Sequence, residues 1–309
     1  MSGIIRYANA ESGAVAVGIR NGGGVTPISD SVAELLRLPI EQLRARYAGV
    51  TENPMSLART IPLPPIDGRT EVWAAGVTYR RSREARVAES ESAPDVYQRV
   101  YDAVRPELFF KSAAWRVVGD GEPVAVRADS IIDVPEPELA LVINTHAEIV
   151  GYTICDDVSS RSIEGDNPLY LPQAKTYLGG CALGPHIRPA WDVADPYALR
   201  IHMTIHREGG VVWSGEANTG QLHRRFDDLI SHLFAADRFP DGVVLSTGTA
   251  LVPELPFTLA HGDRIDIDID QIGALTTSVV RGLQHMNWLL DSTDPRDRSR
   301  ASGRTGSEG

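Results

Sequence analysis

Beyond residue 106 apolar and polar residues alternate in short runs, PVAVRA, ELALVI, LRIHMTIHR, VVLSTG, RIDIDID and LTTSVV, each bounded by Gly, Pro or Asp. A period of two predicts strands with at least one buried face, so this part of the chain reads as mostly β. In LRIHMTIHR the alternation puts Leu199, Ile201, Met203 and Ile205 on the core side and leaves His202 and His206 on the other. At the strand rise those two histidines stand about 13 Å apart, so the pair reads as surface and not as a metal site.

The first 65 residues are patterned differently. GAVAVGI predicts a strand, and SVAELLRLPIEQLRARY spaces Leu35, Leu36, Ile40, Leu43 and Tyr47 helically, with Pro39 dividing two helices. Asn53 to Pro65 is proline-rich and predicts a linker before the strand VWAAGV, which sets a small N-terminal α/β domain at 1–65 and a larger one at 66–291. From Arg80 to Val104 the pattern turns helical and charged, with Val96, Val100 and Val104 as an apolar stripe, either a surface helix or a lid. Residues 292–309 carry one Ala as their only apolar side chain and are expected to be a disordered tail.

Charge narrows the function. Thirty basic against forty-one acidic residues give a net charge of −11, with no basic run, which disfavours nucleic acid as a partner. The two cysteines, Cys155 and Cys181, sit among core-like residues and read as reduced structural thiols. With no apolar run long enough to span a bilayer and no leader-like N-terminus, a cytoplasmic protein without membrane contact is expected.

The candidate chemistry lies in two segments. In DVPEPELALVI, Glu136 and Glu138 are two apart at the start of an apolar strand, hence on one face. A surface pair is the plain alternative. GYTICDDVSSR then ends a second apolar strand in Asp156 and Asp157, the latter 19 residues after Glu138. Carboxylate oxygens gathered in this way suit magnesium, with manganese as the alternative, and leave positions open for a chelating substrate.

These residues resemble the fumarylacetoacetate hydrolase superfamily over roughly residues 70 to 282. The likeness runs through GVTY, the PxxFxK element Pro106 to Lys111, the ExE pair, GYTICDDVSSR, Lys175, Gly184-Pro185 and STGTA. It implies an α+β, mostly β fold of rolled mixed sheets and a homodimer or homotetramer. It also implies Glu136, Glu138 and Asp157 as metal ligands, with Arg161, Lys175 and Thr249 around the substrate. Within the superfamily, VYDAVRPELFFK, VGDGEPVAVRADS and EGDNPLYLPQAK are similar to the dehydratases of 2-keto-3-deoxy-D-arabinonate, although Ser162 stands where those carry Asp.

The resemblance implies a 2-keto-3-deoxy sugar acid as substrate, dehydrated to 2-oxoglutarate semialdehyde. Lys175 is the expected base at C3, Glu107 or Glu164 the donor to the departing C4 hydroxyl, and Arg116, Arg161 and Thr249 the orienting groups. For Lys175 a structural ion pair stands as the alternative. Other functions to weigh are a C–C hydrolase or decarboxylase of acylpyruvates and a non-catalytic keto-acid or metal binder. Hydrolases of the superfamily carry His in a GxNYxxH element, and here that position is Ser82, which has no imidazole to activate water.

Overall fold

The computed structural model describes residues 2–50, 54–80, 94–291 and 295–301. The N-terminal part runs β1 (Gly3–Asn9), β2 (Val15–Asn21), β3 (Gly24–Ser29), α1 (Val32–Leu36), α2 (Ile40–Ala48), β4 (Met55–Ser56) and β5 (Thr60–Leu63). The middle follows with β6 (Glu71–Gly76), α3 (Pro94–Asp102), β7 (Glu107–Ala113), β8 (Pro123–Val126), β9 (Asp133–Val134), β10 (Pro137–Ile143), β11 (Ile149–Asp157) and β12 (Ser159–Ser160). Then come α4 (Arg161–Asp166), α5 (Leu171–Lys175), β13 (Cys181–Pro189), β14 (Arg200–Arg207), β15 (Gly210–Asn218) and α6 (Phe226–Leu233). β16 (Val243–Ser246), β17 (Arg264–Ile269), β18 (Gly273–Arg281), α7 (Trp288–Asp291) and α8 (Pro295–Ala301) complete the order.

The fold is mostly β, with mixed sheets. An 11-stranded sheet is ordered β4-β3-β2-β1-β13-β11-β10-β16-β6-β7 with β5 added on β1, and a 5-stranded sheet is ordered β15-β14-β17-β18-β8. β16 runs parallel to β6 and β18 parallel to β8, while the other pairs are antiparallel. Strand β10 lies in the middle of the large sheet and is buried along its whole length. Its Leu139, Leu141 and Ile143 enter one core cluster, and its Ala140 and Val142 enter another on the opposite face. A strand covered on both faces reads as a continuous apolar run, so ELALVI, grouped above with the alternating runs, is instead apolar at every position from Leu139 to Ile143. β14 behaves as its pattern demands: Ile201, Met203 and Ile205 are buried, while His202 and His206 meet Ser214 and Asp266 on the outer face.

Three details depart from the sequence pattern. The stretch expected to be a linker contributes β5, which among the described residues pairs only with β1, and an edge strand tolerates Pro62. Strand β1 pairs with β13, so the sheet of the first 65 residues continues into that of the larger region, and Ile4, Val17 and Val32 share a core cluster with Val72 and Ala140. Val104 falls beyond the end of α3 and is exposed, so the stripe does not extend to it. Of that segment, residues 81–93, which include Ser82 and Glu84, lie outside the described residues.

Of residues 292–309, 295–301 are described, and they form α8. Arg298 grips Glu122, a fully buried carboxylate, with Nε and Nη2 at 3.0 and 2.7 Å, and donates to the Val117 carbonyl at 3.1 Å. The contact of α8 runs through charge, at Arg298. Deleting residues 292–309 strips Glu122 of this cation and is expected to lower stability by about 1–3 kcal/mol. Arg298→Ala should reproduce most of that loss in denaturant unfolding, and a midpoint equal to that of the intact chain for both would show the contact to be idle.

Candidate active site

The hairpin of β10 and β11 builds the carboxylate cluster. Glu138 lies opposite Cys155 and Pro137 opposite Asp156, and the Asp157 amide continues the ladder to the Glu136 carbonyl at 3.0 Å. Directly opposed residues of an antiparallel pair share a face, so Glu136, Asp157 and, two further along, Glu138 all point the same way. Their carboxylate oxygens lie within 4.8 Å of one another, and all three residues are buried. These oxygens, hard and crowded out of water, fit a divalent cation of the magnesium class, since neighbouring negative charges in a dry site repel unless a cation joins them.

The surroundings hold each oxygen in place. Ser246 Oγ and Gly248 N–H donate to Glu138 Oε2, the latter at 2.8 Å. Burial, followed by the charges of Asp157 and Glu136, pushes the Glu138 carboxyl well above the usual range. Asp156 points away from the cluster and accepts the Glu136 amide at 3.1 Å, with burial pushing its carboxyl up to about 7. Lys175, at the end of α5, donates to Glu136 Oε2 at 2.6 Å, Asp157 Oδ2 at 3.0 Å and Ser159 Oγ. Arg161, the first residue of α4 behind the Ser160 cap, pairs with Glu136 at 2.9 Å and Glu164 at 3.4 Å.

A narrow cleft is lined by Glu136, Glu138, Asp157, Lys175, Gly76 and Thr249. Glu107 reaches its edge, because its carboxylate lies against Gly76: an added Cβ there would stand 1.9 Å from Oε2 and would push the carboxylate aside. The Thr249 hydroxyl donates to the Leu251 carbonyl at 3.1 Å. Arg161 lines a second, roomier cleft with Ser162 and Asp166, and Ser162 is occupied with Ser130 and the Ile131 amide.

Arg116 is the one expected substrate group that is not brought in. Glu107, at the start of β7, lies opposite Gly76 beside the cleft, whereas Arg116 is not among the residues that line the cleft. Its guanidinium lies 4.8 Å over the Trp115 ring. The reading from residues alone also gave no role to Lys111, Ser246 or Tyr79, which are buried around the same cluster. Lys111 and Ser246 stand in the quoted PxxFxK and STGTA elements, but linear position does not say which way a side chain turns.

Comparison with known proteins bears on what this site acts upon. The sequence profile described as fumarylacetoacetate (FAA) hydrolase C-terminal matches residues 71–280. A probable 2-keto-3-deoxyxylonate dehydratase of Haloferax volcanii is 52% identical over 215 residues, 70% of this chain and 73% of that one. The 2-dehydro-3-deoxy-D-arabinonate dehydratase of Saccharolobus solfataricus is 47% identical over 219 residues, with the same two shares, 70% and 73%. Among solved structures, 2-keto-3-deoxy-D-arabinonate dehydratase complexed with magnesium and 2,5-dioxopentanoate superposes with a TM-score of 0.79 at 35% identity, covering 91% of this chain and 99% of that one.

Proposed function

This chain belongs to the fumarylacetoacetate hydrolase family, and from that premise we propose that it is a hydro-lyase converting 2-dehydro-3-deoxy-D-arabinonate to 2-oxoglutarate semialdehyde (2,5-dioxopentanoate) and water, with magnesium as cofactor. The observation that carries the substrate assignment is the 52% and 47% identity to dehydratases of 2-keto-3-deoxy pentonates, over stretches long enough to span most of the catalytic region. The carboxylate cluster with a buried lysine across two of its members supports the chemistry.

Glu136, Glu138 and Asp157 would hold the metal, which when bound supplies a positive centre for the carboxylate and keto oxygens of the substrate and so acidifies C3. Lys175 is the base for the C3 proton, a role suited to an amine desolvated inside the site. The Glu107 carboxyl, at the edge of the cleft on Gly76, is the donor to the departing C4 hydroxyl; Glu164 instead shares the Arg161 cation with Glu136. Arg161 and Thr249 orient the substrate. Loss of the C3 proton and the C4 hydroxyl leaves a C3–C4 double bond, and tautomerisation through C5 gives the aldehyde.

The proposal extends to a homodimer or homotetramer, supported by Ile131 and Leu255, two exposed apolar side chains that line the same cleft as Arg161. It also includes a cytoplasmic setting, in keeping with the unbridged Cys155 and Cys181.

The test is a product assay by mass spectrometry on 2-keto-3-deoxy sugar acids and acylpyruvates with magnesium. Dehydration of the pentonate is expected to outrun acylpyruvate cleavage by a wide margin, because Ser82 stands where hydrolases carry the imidazole that activates water. Faster acylpyruvate cleavage would make the chain a C–C hydrolase.

A further inference from the structure

A second buried lysine sits behind the cluster. Lys111 is in β7 at a bulge: Trp73 pairs with Phe110 and Val72 with Ser112, so Lys111 is the extra residue whose side chain the irregularity re-aims. Its ammonium lies 2.5 Å from Asp157 Oδ1 and donates to the Val158 carbonyl at 2.9 Å and the Lys175 carbonyl at 2.7 Å. Two of its N–H donors go to the carbonyls, the carboxylate contact is an ion pair, and its side chain is fully buried.

The two lysines thus bracket one carboxylate. Lys175 holds Oδ2 and lines the cleft, whereas Lys111 holds Oδ1 from the side away from it. We propose that Lys111 is a positioning residue: it fixes Asp157 with Oδ2 turned into the cleft and, through the Lys175 carbonyl, fixes the end of α5 from which the base projects. The inference rests on the reading of Glu136, Glu138 and Asp157 as metal ligands.

The roles of the two lysines toward a cation are opposite. Lys175 donates to Glu136 Oε2 and Asp157 Oδ2, oxygens that a cation in the cleft would take, so it competes with the metal. Lys111 touches neither and holds the ligand still. Groups that orient a metal ligand typically contribute 10–100-fold in affinity.

The experiment is titration of the full chain with Mn2+, read as free ion by electron paramagnetic resonance, for the wild type, Lys111→Met, Lys175→Met and Glu138→Gln. Lys111→Met is expected to bind Mn2+ about 10–100-fold more weakly. Loss of a nearby positive charge would by itself tighten cation binding, so weakening at an unchanged unfolding temperature reports orientation. Turnover of that variant should recover in part with excess magnesium, while Lys175→Met binds Mn2+ at least as tightly as the wild type and stays inactive at any magnesium concentration. If Lys111→Met does not fold, Lys111→Gln, which keeps a neutral donor for the two carbonyls, is read by the same criteria. A folded Lys111 variant with wild-type Mn2+ affinity overturns the positioning role alone. A wild type that binds no Mn2+, or a Glu138→Gln that binds it undiminished, overturns the metal-site reading and this inference with it.

Discussion

Dialysis against a chelator is expected to abolish turnover, and magnesium or manganese to restore it. Glu138→Gln is expected to lose metal and turnover together while the chain stays folded. The expectation follows from the crowding of Glu136, Glu138 and Asp157, whose oxygens lie within 4.8 Å of one another in a buried site. Glutamine keeps the shape of Glu138 and an oxygen to accept from Ser246 and Gly248, so the fold is preserved while the negative charge is gone. A metal acting on a keto oxygen contributes several kcal/mol, so a rate loss on the order of a thousandfold is expected. Metal content by elemental mass spectrometry, measured beside turnover, checks it; full activity of metal-free protein would sink the mechanism.

Lys175→Ala should abolish both dehydration and exchange of the substrate C3 hydrogen with deuterated solvent. A positioned base contributes about 10²–10⁴ in rate, and loss of the exchange shows that the missing step is proton removal. Folding should survive, because Glu136 keeps Arg161 and Asp157 keeps Lys111. A lysine can also activate a keto acid as a Schiff base, and the two routes separate cleanly: borohydride added during turnover should leave no adduct on the chain. Reduction that traps substrate on Lys175 would make the enzyme an iminium dehydratase.

Much of the molecule was legible before folding. Alternation in RIDIDID and LRIHMTIHR marked β17 and β14 because each has one face in the core. Pro39 divided α1 from α2 because a proline lacks the N–H that a continuous helix needs. Glu136, Glu138 and Asp157 stood out because acidic residues at the ends of apolar strands are rare without a partner. Lys175 was found through the family's spacing, not through any period of its own.

The tertiary structure decided the rest, and the reason is the same each time: a contact across many residues depends on register and rotation, which local pattern does not encode. Glu107 stands opposite Gly76 at the cleft, while the guanidinium of Arg116 lies over Trp115. A bulge in that strand turns Lys111 into the back of the cluster. The pairing of β1 with β13 joins the first strands to the large sheet, although the proline-rich stretch between them looks like a boundary. Arg298 found Glu122 across 176 residues, in a tail whose composition announced only that it could not be held by apolar burial. The sequence by itself determined which side chains carry charge and which strands must be covered; the register of β10 against β11 determined that three of those charges meet.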